Sequence, residues 1–405
     1  MREGRVQATL GDVAHITIGR TPPRDDPRYW TDHLERPFCT IADMDGPRVR
    51  PQTEGVSALA ELEGKAKRVP AGALLMSFKL TIGRVGFADV DVFPNEAIAW
   101  IEPTTRDLDR RYLALWLQHG DLTQDAGRAV KGHTLNSASL RAITVEVPPL
   151  AEQCRIVDLV WSADSANQVA AQLSDRARAS ANAVRNAWFG RPSHHRVALA
   201  EAVEVTNGRL RSPKNATGPW MTRYVRAANV QDGQLVLDAP MYMNFSPQEQ
   251  VKFALTPGDV LVTEGSGSRG SIGASCRWNG EIPGTVCFQN HLLRLRAKPA
   301  AGVSAAYILQ WALWTHRSGR FAEIATGTNI LSLGVERVEQ MPLPLGDDDE
   351  RRSFLDLVST LDQTESSAAA YRQGLARLRT GLLDALLSGQ HPIPDSYDRF
   401  VDAAS

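Results

Sequence analysis

The apolar positions of this chain include two long stripes with a seven-residue period. The first runs through Ile156, Leu159, Ala163, Ala166, Ala170, Leu173, Ala177, Ser180, Val184 and Ala187. Adding 198 to each number gives Phe354, Leu357, Leu361, Thr364, Ala368, Tyr371, Leu375, Leu378, Leu382 and Ala385. Most are apolar, and small residues in one copy often match larger ones in the other. A seam sustained over several heptads predicts a coiled-coil helix. About 33 residues at 1.5 Å each would make a rod of roughly 50 Å. The same offset lays Asp158 on Asp356, Leu159 on Leu357, Val160 on Val358 and Asp164 on Asp362.

Upstream of each stripe the pattern shortens to strands and turns, and it repeats. Gly11-Asp12-Val13-Ala14-His15-Ile16-Thr17-Ile18-Gly19-Arg20 parallels Ala200-Glu201-Ala202-Val203-Glu204-Val205-Thr206-Asn207-Gly208-Arg209. Val69-Pro70-Ala71-Gly72-Ala73-Leu74-Leu75-Met76-Ser77 parallels Leu255-Thr256-Pro257-Gly258-Asp259-Val260-Leu261-Val262-Thr263, each a turn feeding a buried strand. Ile82-Gly83 matches Ile272-Gly273, Pro94-Asn95-Glu96 matches Gln289-Asn290-His291, and Tyr112 to Leu117 matches Tyr307 to Ala312. Gly132-His133-Thr134-Leu135 matches Gly327-Thr328-Asn329-Ile330. A series in one order predicts an internal pseudo-two-fold repeat. The fold class is α+β. Two mixed α/β domains, 1–147 and 191–345, are each followed by a long helix, 148–190 and 346–390. The helices pack as an antiparallel coiled coil, and 391–405 forms a poorly ordered tail.

Composition narrows the chemistry. The 405 residues are 43% apolar and 22% charged, with a net charge of -1, so any nucleic-acid contact must come from local patches. Cys39, Cys154, Cys276 and Cys287 form no C-x-x-C pair and suit reduced thiols in a cytoplasmic protein. Met1-Arg2-Glu3-Gly4-Arg5 lacks a signal peptide's apolar core, and no run is apolar enough to span a membrane.

No catalytic constellation or metal set stands out. Gly265-Ser266-Gly267-Ser268-Arg269-Gly270 fits G-x-G-x-x-G, but strand- and turn-like residues follow where a dinucleotide site needs a helix. Asp26-Pro27-Arg28-Tyr29 reads as a turn, and Glu61-Leu62-Glu63-Gly64-Lys65 as a solvated charged segment. His194-His195 is expected at the surface. Asn95 and Asn290 read as turn-tying residues, Trp116 and Trp311 as core anchors.

Leu-Gly-Asp-Val near Gly19-Arg20-Thr21-Pro22, then Pro70-Ala71-Gly72 with Leu74-Leu75-Met76-Ser77, Gly132-His133-Thr134-Leu135-Asn136-Ser137, and Val147-Pro148-Pro149-Leu150-Ala151-Glu152-Gln153 together resemble the specificity subunit of type I restriction-modification enzymes. The likeness extends over nearly the whole chain. The second copy departs at the helix start, where Gly346-Asp347-Asp348-Asp349-Glu350 stands. The resemblance implies that each globular half is a target recognition domain reading one part of a bipartite double-stranded DNA sequence. The helices act as a ruler and dock two methyltransferase subunits, and restriction/translocase subunits join a full restriction assembly. S-adenosylmethionine, ATP and Mg then belong to those partners. This chain binds none of them and is not an enzyme.

DNA reading needs Arg or Lys for phosphates and guanine edges, and Asn or Gln for adenine. The candidates in Gly/Pro/Ser-rich turns are Arg20, Arg24, Lys79, Arg84, Lys131 and His133 in the first half. In the second they are Arg209, Arg211, Lys214, Arg269 and Asn329. The strongest seam candidates are Ile156, Leu159, Leu173, Val184, Phe354, Leu357, Leu361, Tyr371, Leu375, Leu378 and Leu382. Two other readings are a stand-alone DNA methyltransferase, which lacks its cofactor motif here, and a helical assembly scaffold that does not read DNA.

Overall fold

The structure is a computed structural model that describes residues 4–120, 122, 135–237, 241–328, 330–389, 393 and 397. Lys131, His133, Asn329 and most of the 391–405 tail lie outside the described residues. The chain divides into two units. One is Met1–Ala170 with Ala370–Ser405, and the other is Ala171–Ala369. The division falls within both long helices, Leu150–Phe189 and Asp348–Leu387. Each unit therefore holds the start of one long helix and the end of the other.

In the first unit, a sheet runs in the order Ala14–Ile18, Ile98–Pro103, Leu74–Ser77, Val85–Ala88, Arg48–Val49. All its pairings are antiparallel except the last. A ribbon of Val6–Thr9 and Thr144–Val147 closes the unit, with Val6 opposite Val147. The helix Arg110–His119 lays Tyr112, Leu113 and Trp116 into the core. That core also takes Ile156, Val157 and Val160 from the first long helix and Leu383 and Leu386 from the second.

The second unit repeats this plan. Its sheet runs Val203–Asn207, Leu292–Ala297, Val260–Thr263, Ser275–Arg277. His195–Ala198 pairs with Pro342–Leu345 in the matched register, His195 opposite Leu345. Its core takes Ala181, Trp188 and Phe189 from the first long helix and Phe354 and Val358 from the second. A further sheet of Met241–Asn244, Met221–Val225 and Val286–Phe288 has its own apolar cluster around Trp278 and Phe288.

The repeat extends to single hydrogen bonds. The Tyr112 hydroxyl donates to the Glu146 carbonyl at 2.8 Å. The matched Tyr307 donates to the Pro344 carbonyl and receives the Trp188 indole N–H at 2.9 Å. Gly19 and Gly208 are required by close approach. A Cβ on Gly19 would stand 2.2 Å from the Pro94 carbonyl oxygen, and one on Gly208 would stand 2.1 Å from that of Gln289.

The Glu152-Gln153 pair at the first helix start has a clear physical task. Buried Gln153 donates to the carbonyls of Asp107 and Pro148, both at 2.7 Å, and accepts from the Asp109 N–H at 2.8 Å. Glu152 pairs with Arg5, which also donates to the Leu386 and Leu387 carbonyls at the end of the second long helix. In the second copy Arg351 stands in the place of Gln153 and reaches the matched carbonyl of Gly302 at 3.4 Å. Gly346 stands in the place of Pro148 because Trp188 fills the space; a Cβ there would come within 2.6 Å of its ring.

The long helices are antiparallel in both units. In the first unit, Asp164 accepts from Arg379 while Arg5 ties Glu152 to Leu387. In the second, Arg185 donates to Asp362, Arg178 to Glu365 and Arg191 to Glu350. The matched aspartates Asp164 and Asp362 thus each take an arginine from the opposite helix.

The seam differs from the expected one in a single respect. Ile156, Phe354 and Leu375 are buried, and Leu159, Val184, Leu361 and Leu382 pack against the cores. Leu173, Leu357, Tyr371 and Leu378 are exposed. Other buried positions include Val160, Ala163, Ala170, Ser174, Ala177, Ala181 and Trp188 in the first helix, and Val358, Ala368, Leu383 and Leu386 in the second. One of the two heptad positions therefore lies one residue later than expected in both helices. Leu173 faces out while Ser174 faces in, and Leu357 faces out while Val358 faces in.

His194 also corrects the expectation of a surface linker. Its ring is buried at 4.4 Å from the Trp188 ring centroid, in the pocket that Gly346 leaves open. Neither ring nitrogen has a hydrogen-bond partner. Burial pushes its pKa down, aided by Arg191. His195 is exposed on its strand.

All four cysteines are free, and burial raises the Cys39, Cys276 and Cys287 thiols to about 12. Among the described residues, no helix is long and apolar enough to cross a membrane.

Candidate nucleic-acid interface

In each unit three segments meet at one corner of the sheet. In the first unit they are the exit of the Ala14–Ile18 strand, the Pro94–Ala97 turn, and the loop from Phe78 to Arg84. The Gly19 N–H donates to the Ile98 carbonyl at 3.0 Å, and the Arg20 N–H to that of Pro94 at 2.9 Å. The Phe78 N–H donates to the Ala97 carbonyl at 3.0 Å. In the second unit the Gly208 N–H donates to the Leu292 carbonyl at 3.1 Å and the Arg209 N–H to that of Phe288 at 3.1 Å. The Glu264 N–H, at the start of the glycine-rich loop, donates to the His291 carbonyl at 2.8 Å.

Among the described residues, the non-glycine residues with positive φ are Leu80, at 63°, and His291, at 69°. One stands at this corner in each unit. Such backbones persist where the surrounding structure holds them, and they concentrate at functional sites. His291 faces Glu264 across 3.4 Å, and its imidazole lies over Gly265, where a Cβ would come within 2.5 Å of it.

The corner sorts the candidate cations. Arg211, Lys214 and Arg269 are exposed and make no side-chain hydrogen bond or ion pair among the described residues. Lys79 is half-buried, its ammonium 5.4 Å from the Phe78 ring centroid. Arg20 donates one N–H to the Gly64 carbonyl at 2.8 Å and keeps its remaining donors exposed beside Lys65 and Thr21. The Thr21 hydroxyl, against the opposing effect of burial, holds the Glu96 carboxyl below its usual range, and Lys79 and Arg24 add to that.

Three candidates have partners inside their own unit. Arg209 is half-buried, donating to Glu249 at 2.6 Å and to the Asn244 carbonyl at 2.7 Å, so it fastens the further sheet to the corner. Arg24 forms a bidentate pair with Glu54, at 2.7 and 2.9 Å, and stacks 3.8 Å over the Trp30 ring. Its charge is neutralised within the unit. Arg84 donates to the Ile41 carbonyl at 3.1 Å, and its N–H donates to the Ser77 hydroxyl, so it pins the loop base. A turn with a basic residue does not say in sequence whether a carboxylate from elsewhere will reach it.

Sequence alone does not single out Lys65, which stands among acidic neighbours, or His291, whose matched residue is Glu96. It also missed exposed Trp220, which follows the Arg211–Lys214 segment. The basic residues Arg209, Arg211 and Lys214, with Trp220 closing the same Pro- and Gly-containing segment, were the available signal. Asn95 ties off its own turn, accepting from the Ala97 N–H at 3.0 Å, whereas Asn290 accepts from the Arg211 N–H at 3.4 Å and so joins two segments of the corner. Trp116 and Trp311 are buried, and the Trp311 indole donates to the Pro342 carbonyl at 3.0 Å.

Other chemistries find less footing. The Gly265–Gly270 loop begins as a two-residue strand, Gly265–Ser266, paired with Leu331–Ser332, and continues through turns into Ser275–Arg277. It opens no helix onto which a pyrophosphate could sit. Asp26 caps the turn Pro27–Tyr29 by accepting from the Arg28 N–H at 3.1 Å. Glu61 and Glu63 are engaged by Arg36 and the Tyr29 hydroxyl. Among the described residues no group of three or more His, Cys, Asp or Glu side chains could hold a metal.

Comparison with known proteins fits this arrangement. Residues 3–176 match the family model of the type I restriction modification DNA specificity domain. No curated protein sequence matches the chain. Among solved structures, one from work on complex assembly and conformational transition of the type I R-M system is 14% identical with a TM-score of 0.61, covering 96% of this chain and 98% of that one. The type I restriction-modification S subunit from M. genitalium is 13% identical with a TM-score of 0.58, covering 95% and 97%. The HsdS subunit from Thermoanaerobacter tengcongensis is 15% identical with a TM-score of 0.51, covering 96% and 98%. Residues 3–176 are thus similar to the type I restriction modification DNA specificity domain, and the chain as a whole shares the fold of these specificity subunits.

Proposed function

We infer that this chain selects the target of a type I restriction-modification complex by reading a bipartite double-stranded DNA sequence, one part with each globular half. The observation that carries this reading is the repeated corner, where matched turns in both units present exposed cations around a held, unusual backbone. Arg211, Lys214 and Arg269 in one unit, and Arg20, Lys65 and Lys79 in the other, suit phosphate and base-edge contacts. The near-neutral net charge confines attraction for DNA to these local patches.

The long helices set the distance between the two parts of the target and dock two methyltransferase subunits. In the first unit Trp161, Val169, Tyr371 and Leu378 face solvent on these helices, an apolar set suited to a partner's surface. S-adenosylmethionine and, in a restriction assembly, ATP and Mg are assigned to the partners. The chain itself supplies selection and assembly, not bond chemistry.

The test is co-expression with a type I modification subunit, followed by mapping of N6-methyladenine across the host genome. The expected result is a motif of two short specified parts separated by unspecified bases. Methylation at a single continuous motif would contradict the bipartite reading. Methyl transfer by the purified chain alone would replace it with the stand-alone enzyme.

A further inference from the structure

The corner of the first unit carries a residue that packs in no apolar core among the described residues. Leu80 stands at the tip of the loop between the Leu74–Ser77 and Val85–Ala88 strands, 77% exposed. Its φ is 63°, a left-handed conformation that is unfavourable for a residue with a Cβ. An exposed leucine gains nothing from burial to offset this. Yet the loop is not free to relax. The Gly83 N–H donates to the Ser77 carbonyl at 3.0 Å, the Ser77 hydroxyl to the Thr81 carbonyl, and the Arg84 N–H to the Ser77 hydroxyl at 3.1 Å. Arg84 anchors the base to the Ile41 carbonyl. The tip is held in a strained form that presents one apolar side chain to water.

The neighbours of Leu80 identify its counterpart. Lys79 and Thr81 flank it, so the apolar surface is a single side chain beside a cation. A protein partner would more naturally meet a cluster of apolar anchors. A lone apolar side chain with an adjacent cation suits duplex DNA, where such residues enter between base pairs, part the stack and leave the cation to the phosphate. We propose that Leu80 is a wedge that enters the base stack of the DNA part read by the first unit. This rests on the DNA-reading function above and adds how one half engages the duplex.

The two halves differ here. Aligning Ile82-Gly83 with Ile272-Gly273 sets Lys79 on Arg269 and Leu80 on Gly270. The second unit keeps the cation but has no side chain at the wedge position. Unstacking by this device is therefore confined to the part of the target read by the first unit.

The test uses the whole chain assembled with its modification subunits. The probes are duplexes of the methylated motif with 2-aminopurine at single purines other than the methylated adenines. In the wild-type complex, fluorescence should rise at one step in the first part of the target. Leu80→Gly should abolish that rise and weaken duplex binding about tenfold, the scale of one leucine side chain's burial. It should leave subunit assembly intact and hold or raise the melting temperature, since glycine adopts this backbone freely. Lys79→Ala should weaken binding but keep the rise. Retention of the fluorescence rise in Leu80→Gly would overturn the wedge while leaving DNA reading in place. Loss of modification-subunit assembly in Leu80→Gly would overturn it in favour of a protein contact. Absence of any duplex binding by the wild-type complex would overturn both the wedge and the reading beneath it.

Discussion

Asp362→Ala is expected to destabilise the Ala171–Ala369 unit by about 3 kcal/mol, the lower end of the range for breaking a buried ion pair. The arginine it abandons makes the effect large. The Arg185 side chain is 1% exposed and its Nη2 donates to both Asp362 oxygens at 2.5 Å. Gln310 accepts from Arg185 at 2.7 Å and donates to Asp362 at 3.1 Å, and Asn182 accepts from Arg185 at 3.2 Å. Burial pulls the guanidinium below its ordinary range and Asp362 opposes this. Without the carboxylate, a charge that cannot be discarded stays inside the helix contact. Asp362 is 30% exposed, so water screens part of the loss, which argues for the lower end. For a unit of this size the melting temperature should fall by about 6–12 °C. Arg379→Ala removes the matched pair in the first unit, where Asp164 is 42% exposed, and should cost under about 1 kcal/mol. Urea unfolding of both variants checks the contrast. Equal small losses would show that the buried arginine finds other partners.

These two ion pairs also show how far the sequence could be read. Asp164 and Asp362 were aligned by the repeat offset alone, and both proved to serve the helix contact. Their partners were invisible, because Arg185 and Arg379 are not a matched pair in sequence. The heptad was legible but its phase was not: hydrophobicity favoured Leu173, whereas Ser174 is the buried residue. The fold class and the repeat followed from periodicity and turn residues, which are local signals. The site depended on long-range contacts. Arg209 and Arg24 looked like free loop cations until Glu249 and Glu54 reached them from distant segments. His194 looked exposed beside polar neighbours, but Trp188 and the absent side chain of Gly346 make a pocket for it. Leu80 gave no signal as a residue type. Its backbone angle alone marks it.

Replacing Arg211, Lys214 and Arg269 together by alanine is expected to cause the largest functional loss. These three exposed cations have no internal pairing among the described residues, so the substitution takes nothing from the fold. Surface changes of this kind alter stability by no more than about 0.5 kcal/mol. If each meets a phosphate, each contributes about one to the slope of log affinity against log salt, so the assembled complex should lose about three from that slope. Affinity for the target duplex at low salt should fall on the order of a hundredfold or more. Fluorescence anisotropy across a salt series measures both quantities. Arg209→Ala offers the contrast, since it should lower stability by detaching Glu249 and the Asn244 carbonyl, with little direct effect on the slope. An unchanged slope in the triple variant would place these residues away from the DNA backbone.

The two halves are expected to read two parts of one target independently. This is tested most directly by exchanging residues 1–147 for the corresponding half of another chain of this fold. The hybrid is co-expressed with its modification subunit, and N6-methyladenine is mapped across the genome. The account predicts that one part of the bipartite motif changes while the other part and the spacing between them stay the same. A motif unaltered by the exchange would contradict it and would leave the chain as a helical scaffold.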